Sequence, residues 1–436
     1  LISTDSHRSE IDSKRSNDNG GMPLPKILRW FWIGSVGAFA LTLLVSYLEF
    51  RVGMNRYRWI PFDTPYFRDL LQVAPTIRLL HTAAFFDPEN PLPVAYPPFG
   101  AVQLALLYSF GHPVISFLAL AMAALGLAVW GVRRALVENG IGRRSATLFP
   151  LTLVLVSFPI ERLVVQGNIE IFLWIFAAAG TWAYLRDRDD VAAILWGLAA
   201  ASKLYPAALL VLFLPRRKFR AFAIGMLVFA AVSALSMVYL GPDLAVAWKG
   251  SIHAVFGYQQ LRAAELSTRE LHANHSLFVL VKFAATVLGI SPVMLVKPYY
   301  ACGGLLFAAV FFLRLRKMPV ANQLLGASVF MLTLPTISYF HTLVNLYAPL
   351  LVLFLLAIRA DRMGVRIAGL STAILLFLPL FASFQLSTFP SVFLFCGIVQ
   401  ATLLLLLFLY AVQYPFSELV SGAEIGECSG VRASEG

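Results

Sequence analysis

Asp69, in Phe67-Arg68-Asp69-Leu70, and Asp63 shortly before it lie on the first long polar loop of the chain. A carboxylate held at the edge of an apolar phase can act as a general base toward a hydroxyl. Arg56, Arg58, Arg68 and Arg78 surround the two acids, and guanidinium forks suit an anionic guest, phosphate above all. Lys203 sits in Ala201-Ser202-Lys203-Leu204-Tyr205-Pro206 with long apolar stretches on either side. An amine at that depth is costly unless solvated or paired, so it reads as functional and a lipid phosphate would satisfy it; snorkelling to the surface is the competing reading. Glu170 enters an apolar run and needs a cation, for which Lys203 and Arg162 are available. Gln166 and Asn168 precede it, and polar groups at such positions either line a cavity or bond across helices. His341, after Ser338-Tyr339-Phe340, can bind phosphate or pass a proton, or be an interfacial histidine held by a hydrogen bond. Tyr205, Asn274 and Ser276 complete the polar set at breaks in apolar runs.

Other chemistries are poorly served. The three cysteines, Cys302, Cys396 and Cys428, form no CxxC pair, and no second histidine stands one helical turn from His341. A metal site and a redox centre are therefore not expected, and no cofactor is. A nucleotide site would call for a phosphate loop on a soluble domain, and none is read in the sequence.

The 436 residues are 59% hydrophobic and only 13% charged, with a mean hydropathy of +0.76. That leaves too little polar surface for a soluble globule and too much apolar length for one anchor. The net charge of +11 comes in short basic clusters between apolar runs, the pattern of cytoplasmic loops rather than of a nucleic-acid-binding face. Apolar runs lie at about 27–50, 113–132, 146–158, 164–185, 221–240, 297–313, 321–336, 341–358, 367–383 and 391–412, most of them near the length of a span. The expected fold is all-α, a polytopic membrane helical bundle of about ten spans. Placing the basic clusters inside leaves three stretches that cannot cross: Pro98–Phe110, 191–214 and 274–288. Irregular backbone at membrane depth needs protein or a wet cavity around it, so these half-inserted or re-entrant segments imply a cavity opening outward, with Lys203 at the tip of the second. Residues 1–21 are expected to be disordered, with Met22 an alternative start. Residues 22–412 form the membrane domain and 413–436 a cytoplasmic tail, with both termini inside.

Five stretches, in order and spacing, resemble a known family: Tyr96-Pro97-Pro98-Phe99; Gln166-Gly167-Asn168; Gly197-Leu198-Ala199-Ala200-Ala201-Ser202-Lys203-Leu204-Tyr205-Pro206; Asn274-His275-Ser276-Leu277; and Ser338-Tyr339-Phe340-His341. The chain is similar in these to the polyprenyl-phosphate-sugar-dependent glycosyltransferases of family 87, which have the GT-C architecture. The resemblance implies an active site at the outer leaflet, a catalytic Asp from the first outer loop, and transfer of mannose or a related hexose with inversion. Asp69 is favoured over Asp63 as that Asp, although Phe67-Arg68-Asp69-Leu70 departs from the Asp-x-x-Val-Tyr-like stretch of the family. His275 stands where members commonly have Gln. Lys203, His341, Arg162 and Arg68 would then bind the donor phosphate. The implied partners are a polyprenyl-phosphate-linked sugar donor, a lipid or glycan acceptor and the bilayer. A polytopic transporter or lipid flippase is the rival reading, because buried charge on broken helices also marks substrate pathways.

Overall fold

The computed structural model describes residues 21–51, 66–86, 96–381 and 390–416. Asp63, Arg56 and Arg58 lie outside the described residues, as do residues 1–20 and 417–436. Among the described residues the structure is helical, with two isolated bridges and no strand. The first half contains α1 (Lys26–Arg51), α2 (Arg68–Leu71), α3 (Ala74–Ile77), α4 (Pro98–Ser109), α5 (Pro113–Glu138), α6 (Arg143–Val156), α7 (Phe158–Gln166) and α8 (Glu170–Tyr184). There follow α9 (Asp189–Ser202), α10 (Ala207–Leu210), α11 (Phe219–Leu240), α12 (Leu244–Ala264), α13 (Thr268–Ala273) and α14 (Phe278–Val287). The chain continues through α15 (Pro292–Leu313), α16 (Val320–Thr333), the 3-10 segment Phe340–Leu346, α17 (Tyr347–Arg362), α18 (Leu370–Phe381) and α19 (Pro390–Gln413).

Each expected apolar run is built on helix, but the runs differ in how they reach span length. Five segments are long and apolar enough to cross a bilayer in one piece: Lys26–Val45, Pro113–Glu138, Phe219–Leu240, Pro292–Lys317 and Phe340–Arg362. The pair α6 and α7, bent by 57° at their junction, meets the same length and composition only when the two are taken together, as a broken span or a re-entrant loop. The remaining apolar helices, among them α4, α14, α16 and α18, are shorter. The run 164–185, expected as one span, is instead divided. Pro159 lacks an amide donor and Ser157 Oγ accepts from the Ile160 N–H at 3.2 Å, so α7 starts afresh after α6. Gly167, at φ +65°, then ends α7 as a left-handed cap, and α8 begins only at Glu170.

The centre of the bundle is held by close helix approach. A Cβ on Gly180 would lie 2.5 Å from the Trp196 ring, and one on Gly197 would lie 2.6 Å from the Gly225 carbonyl oxygen, so glycine lets α9 pack tightly against α8 and α11. Trp196, Tyr184 and Phe213 fill the space beneath. The segment 191–214 is a hairpin as its basic flanks suggest: Arg216, Lys218 and Arg220 pair with Asp187, Asp189 and Asp190 at 3.4, 2.7 and 2.9 Å, so the two limbs start and finish together. The 14 residues of α9 carry Lys203 about 20 Å from that basic end.

Candidate active site

The site forms where the first loop docks on the junction between α7 and α8. The Phe67 N–H donates to the Val165 carbonyl at 2.6 Å, and the Tyr108 hydroxyl of α4 donates to the Leu70 carbonyl at 2.7 Å. These bonds seat α2 on Gly167, where an added Cβ would stand 3.0 Å from Leu70 Cβ and 3.3 Å from Phe67 Cα. Gly167→Ala meets both the left-handed backbone penalty and this contact. It should destabilise the protein by about 1–2 kcal/mol and lower the unfolding temperature in detergent; an unchanged unfolding temperature would contradict the docking.

The seat brings Asp69 to Asn168, whose Nδ2 donates to Asp69 Oδ2 at 2.6 Å. On its other side, Asn168 Oδ1 accepts from the Glu170 N–H at 3.0 Å and from Lys203 Nζ at 3.3 Å. Lys203 Nζ donates at 2.6 Å to Glu170 Oε2 in an ion pair whose carboxylate is fully buried. Of the two cations expected for Glu170, Lys203 is the one in contact. Tyr205 OH also donates to Glu170 Oε1, and Asn345 Nδ2 does so at 2.5 Å, so every oxygen of this carboxylate is engaged. The Tyr96 ring lies 5.5 Å from Lys203 Nζ. Gln103 Nε2 on α4 donates to Ser202 Oγ at 2.8 Å and fixes the end of α9 beside it. Residues from widely separated parts of the sequence thus form one network from Asp69 to Asn345. Burial pushes the Asp69 carboxyl above its ordinary value, while the Asn168 amide and the charges of Lys203, Arg68 and Arg262 pull it back.

His341 heads the 3-10 segment, and its Nδ1 lies 2.8 Å from Gln166 Oε1. The proton of this bond sits on Nδ1 or on the Gln166 amide according to the tautomer, and only the Nε2–H tautomer presents a donor to an anion. Arg162 lies one turn before Gln166 on α7, buried, with its guanidinium 5.2 Å over the Phe158 ring. Arg68 adjoins Asp69, half-buried.

Asn274 and Ser276 belong to a second joint. Asn274 Nδ2 donates to the Thr336 carbonyl at 2.8 Å and Glu270 Oε1 at 3.2 Å, its Oδ1 accepts from Ser338 N at 3.0 Å, and Ser276 Oγ reaches Thr336 O at 3.2 Å. This ties the loop after α13 to the turn that delivers His341. Sequence reasoning missed several groups here. Glu270 is buried and accepts from Tyr339 OH at 2.5 Å and from Lys282 Nζ at 3.4 Å; Lys282 also donates to the Arg262 carbonyl at 2.6 Å. Lys282, flanked by Val281 and Phe283, carried the same signal of an amine in an apolar run as Lys203. Asn345 was equally visible as an amide in an apolar stretch. Among the described residues no group of three His, Cys, Asp or Glu side chains is arranged to hold a metal ion.

Carboxylate, amide, lysine and imidazole side chains are thus gathered at the breaks between apolar helices. The sequence model for glycosyltransferase family 87 matches residues 95–336, more than half of the chain. The chain belongs to that family. It is 28% identical over 158 residues to the polyprenol-phosphate-mannose-dependent alpha-(1-2)-phosphatidylinositol pentamannoside mannosyltransferase of Mycobacterium tuberculosis (strain CDC 1551 / Oshkosh), a match covering 36% of each chain. The chain therefore aligns with only about a third of the length of that curated relative. No solved structure matches it. The family match begins after Asp69 and ends before His341, so those two residues enter the site on geometry alone.

Proposed function

We propose that the protein transfers a hexose, mannose in the first instance, from a polyprenyl-phosphate sugar to a lipid or glycan acceptor, with inversion, at the outer face of the membrane. The observation that carries this reading is the unbroken set of contacts from the loop carboxylate Asp69 through Asn168 to Lys203. It supports a role for that carboxylate as base, beside cationic groups suited to an anionic leaving group. The mycobacterial relative, named for a polyprenol-phosphate-mannose donor and a glycolipid acceptor, supports the same substrates.

In this mechanism Asp69 takes the proton of the acceptor hydroxyl as its oxygen attacks the anomeric carbon. The bond from that carbon to the phosphate oxygen breaks on the opposite face, and polyprenyl phosphate leaves. Lys203 uses two of its three N–H bonds on Glu170 and Asn168, and the third serves the phosphate; the Nε2–H tautomer of His341 adds a second donor. Arg68 and Arg162 add positive potential nearby. Charge growing on the leaving phosphate thus meets donors already in place, where electrostatic catalysis has its largest effect. The excess of basic residues at 186–188 and 216–220 supports a cytoplasmic position for that end of the hairpin. The depth of Lys203 beneath that end supports a reaction near the outer leaflet, and the same reading has both termini inside, the membrane domain at 22–412 and the tail beyond.

The test is purified full-length chain in detergent with a radiolabelled polyprenyl-phosphate mannose and glycolipid acceptors. Label appearing in an acceptor together with free polyprenyl phosphate supports the reading. Movement of intact donor across reconstituted vesicles without cleavage would favour a flippase and overturn it.

A further inference from the structure

The pair of bonds on opposite sides of Asn168 has a role in how the base is aimed. We propose that Asn168 is a positioning residue for the transfer: it fixes which carboxylate oxygen of Asp69 faces the acceptor, and the Lys203–Glu170 pair fixes Asn168. The inference rests on the reading of Asp69 as base and adds to it.

The amide of Asn168 has only one workable orientation. Its Oδ1 faces two donors, the Glu170 N–H at 3.0 Å and Lys203 Nζ at 3.3 Å. A flipped amide would set its NH2 against those donors and its oxygen against the Asp69 carboxylate, losing three bonds at a buried site. Nδ2 must therefore point at Asp69 Oδ2, at 2.6 Å. That oxygen is engaged, and among the described residues no donor engages Oδ1, which is left to receive a proton. The clamp behind Asn168 is itself immobile, because Glu170 is held by Lys203, Tyr205 and Asn345. The left-handed cap at Gly167 delivers Asn168 to this place directly after the turn. No group in the network is idle: the ion pair orients an amide, and the amide orients the carboxylate.

A positioning role has a signature that a packing role lacks. The Asn168 bond favours the charged form of Asp69, against the burial that disfavours it. The other groups facing Asp69 are Arg68 on its own helix, Lys203 at the end of α9, Arg262 and Tyr258 on α12, and Tyr96 before α4. All of them are retained in the substitutions below.

The experiment is the pH profile of kcat for wild type, Asn168→Ala and the isosteric Asn168→Asp, with the labelled donor in detergent and monodispersity checked by gel filtration. In Asn168→Ala the acid limb should move up by about one to two pH units and the plateau kcat should fall roughly 10²-fold, with the KM for donor little changed. In Asn168→Asp the limb should move further up, because two carboxylates then share the site. A limb at its wild-type pH in both variants, whatever the loss of kcat, overturns the proposal. So does failure of both variants to yield a monodisperse protein, which would mark Asn168 as structural. Undiminished turnover of Asp69→Asn in the same assay would instead remove the base itself.

Discussion

Asp69→Asn should abolish sugar transfer, with a loss of about 10²–10⁴-fold or more, while the protein remains folded. The amide keeps the shape of the side chain but offers no basic oxygen to take the acceptor's proton. Asp187→Asn is the matched control, since Asp187 is exposed and paired with Arg216 at 3.4 Å on the far side of the bundle; it should leave turnover near wild type. The pH dependence follows with a definite sign. The base works only when ionised, so activity rises as pH rises through the Asp69 titration. Burial sets that titration above the ordinary carboxylate value, and the acid limb of kcat should lie higher than for an exposed aspartate. Full activity of Asp69→Asn, or an acid limb at the value of a solvated carboxylate, would contradict the assignment.

Lys203→Ala should cost both stability and turnover. It leaves Glu170, a fully buried carboxylate, without its counter-ion, and removing one partner of a buried pair costs about 3–5 kcal/mol. Tyr205 and Asn345 still donate to the orphaned acid, which argues for the lower part of that range. Removing both charges in Lys203→Met with Glu170→Leu should recover much of the lost unfolding temperature, because no charge is then stranded. It should not recover activity, because Asn168 loses the ammonium on Oδ1 and the donor phosphate loses a cation. Thermal unfolding in detergent and the transfer assay read the two effects separately. If Lys203→Ala unfolded at the wild-type temperature, the ion pair would not have the structural weight given to it.

Much of this arrangement was legible before any coordinates. Apolar runs and basic clusters mark the helical bundle, because the bilayer permits little else. The cost of placing Lys203 and Glu170 among apolar residues predicted that they needed partners, and they found each other. The break at Gly167 was harder to see: Val164–Leu185 is apolar enough to suggest a continuous span, and only the left-handed cap shows that Asn168 is presented by a turn rather than a helix. Two features were not readable. The docking of Phe67 on Val165 is a backbone bond between distant segments, with no side-chain signature. The joint of Glu270, Lys282 and Tyr339 combines residues far apart in the chain, each unremarkable locally except for Lys282. Asp63 remains a sequence candidate outside the described residues, whereas Asp69 has acquired a neighbourhood.

The central claim is that one hollow holds the donor phosphate and the base together. A cryo-EM map of the full chain with a non-transferable polyprenyl-phosphate sugar tests it most directly. The account predicts phosphate oxygens about 2.7–2.9 Å from Lys203 Nζ and within reach of His341 Nε2, with the anomeric carbon turned toward the Asp69 side. Density for the phosphate among Arg216, Arg217 and Lys218 at the opposite end of the hairpin, away from Asp69, would contradict it.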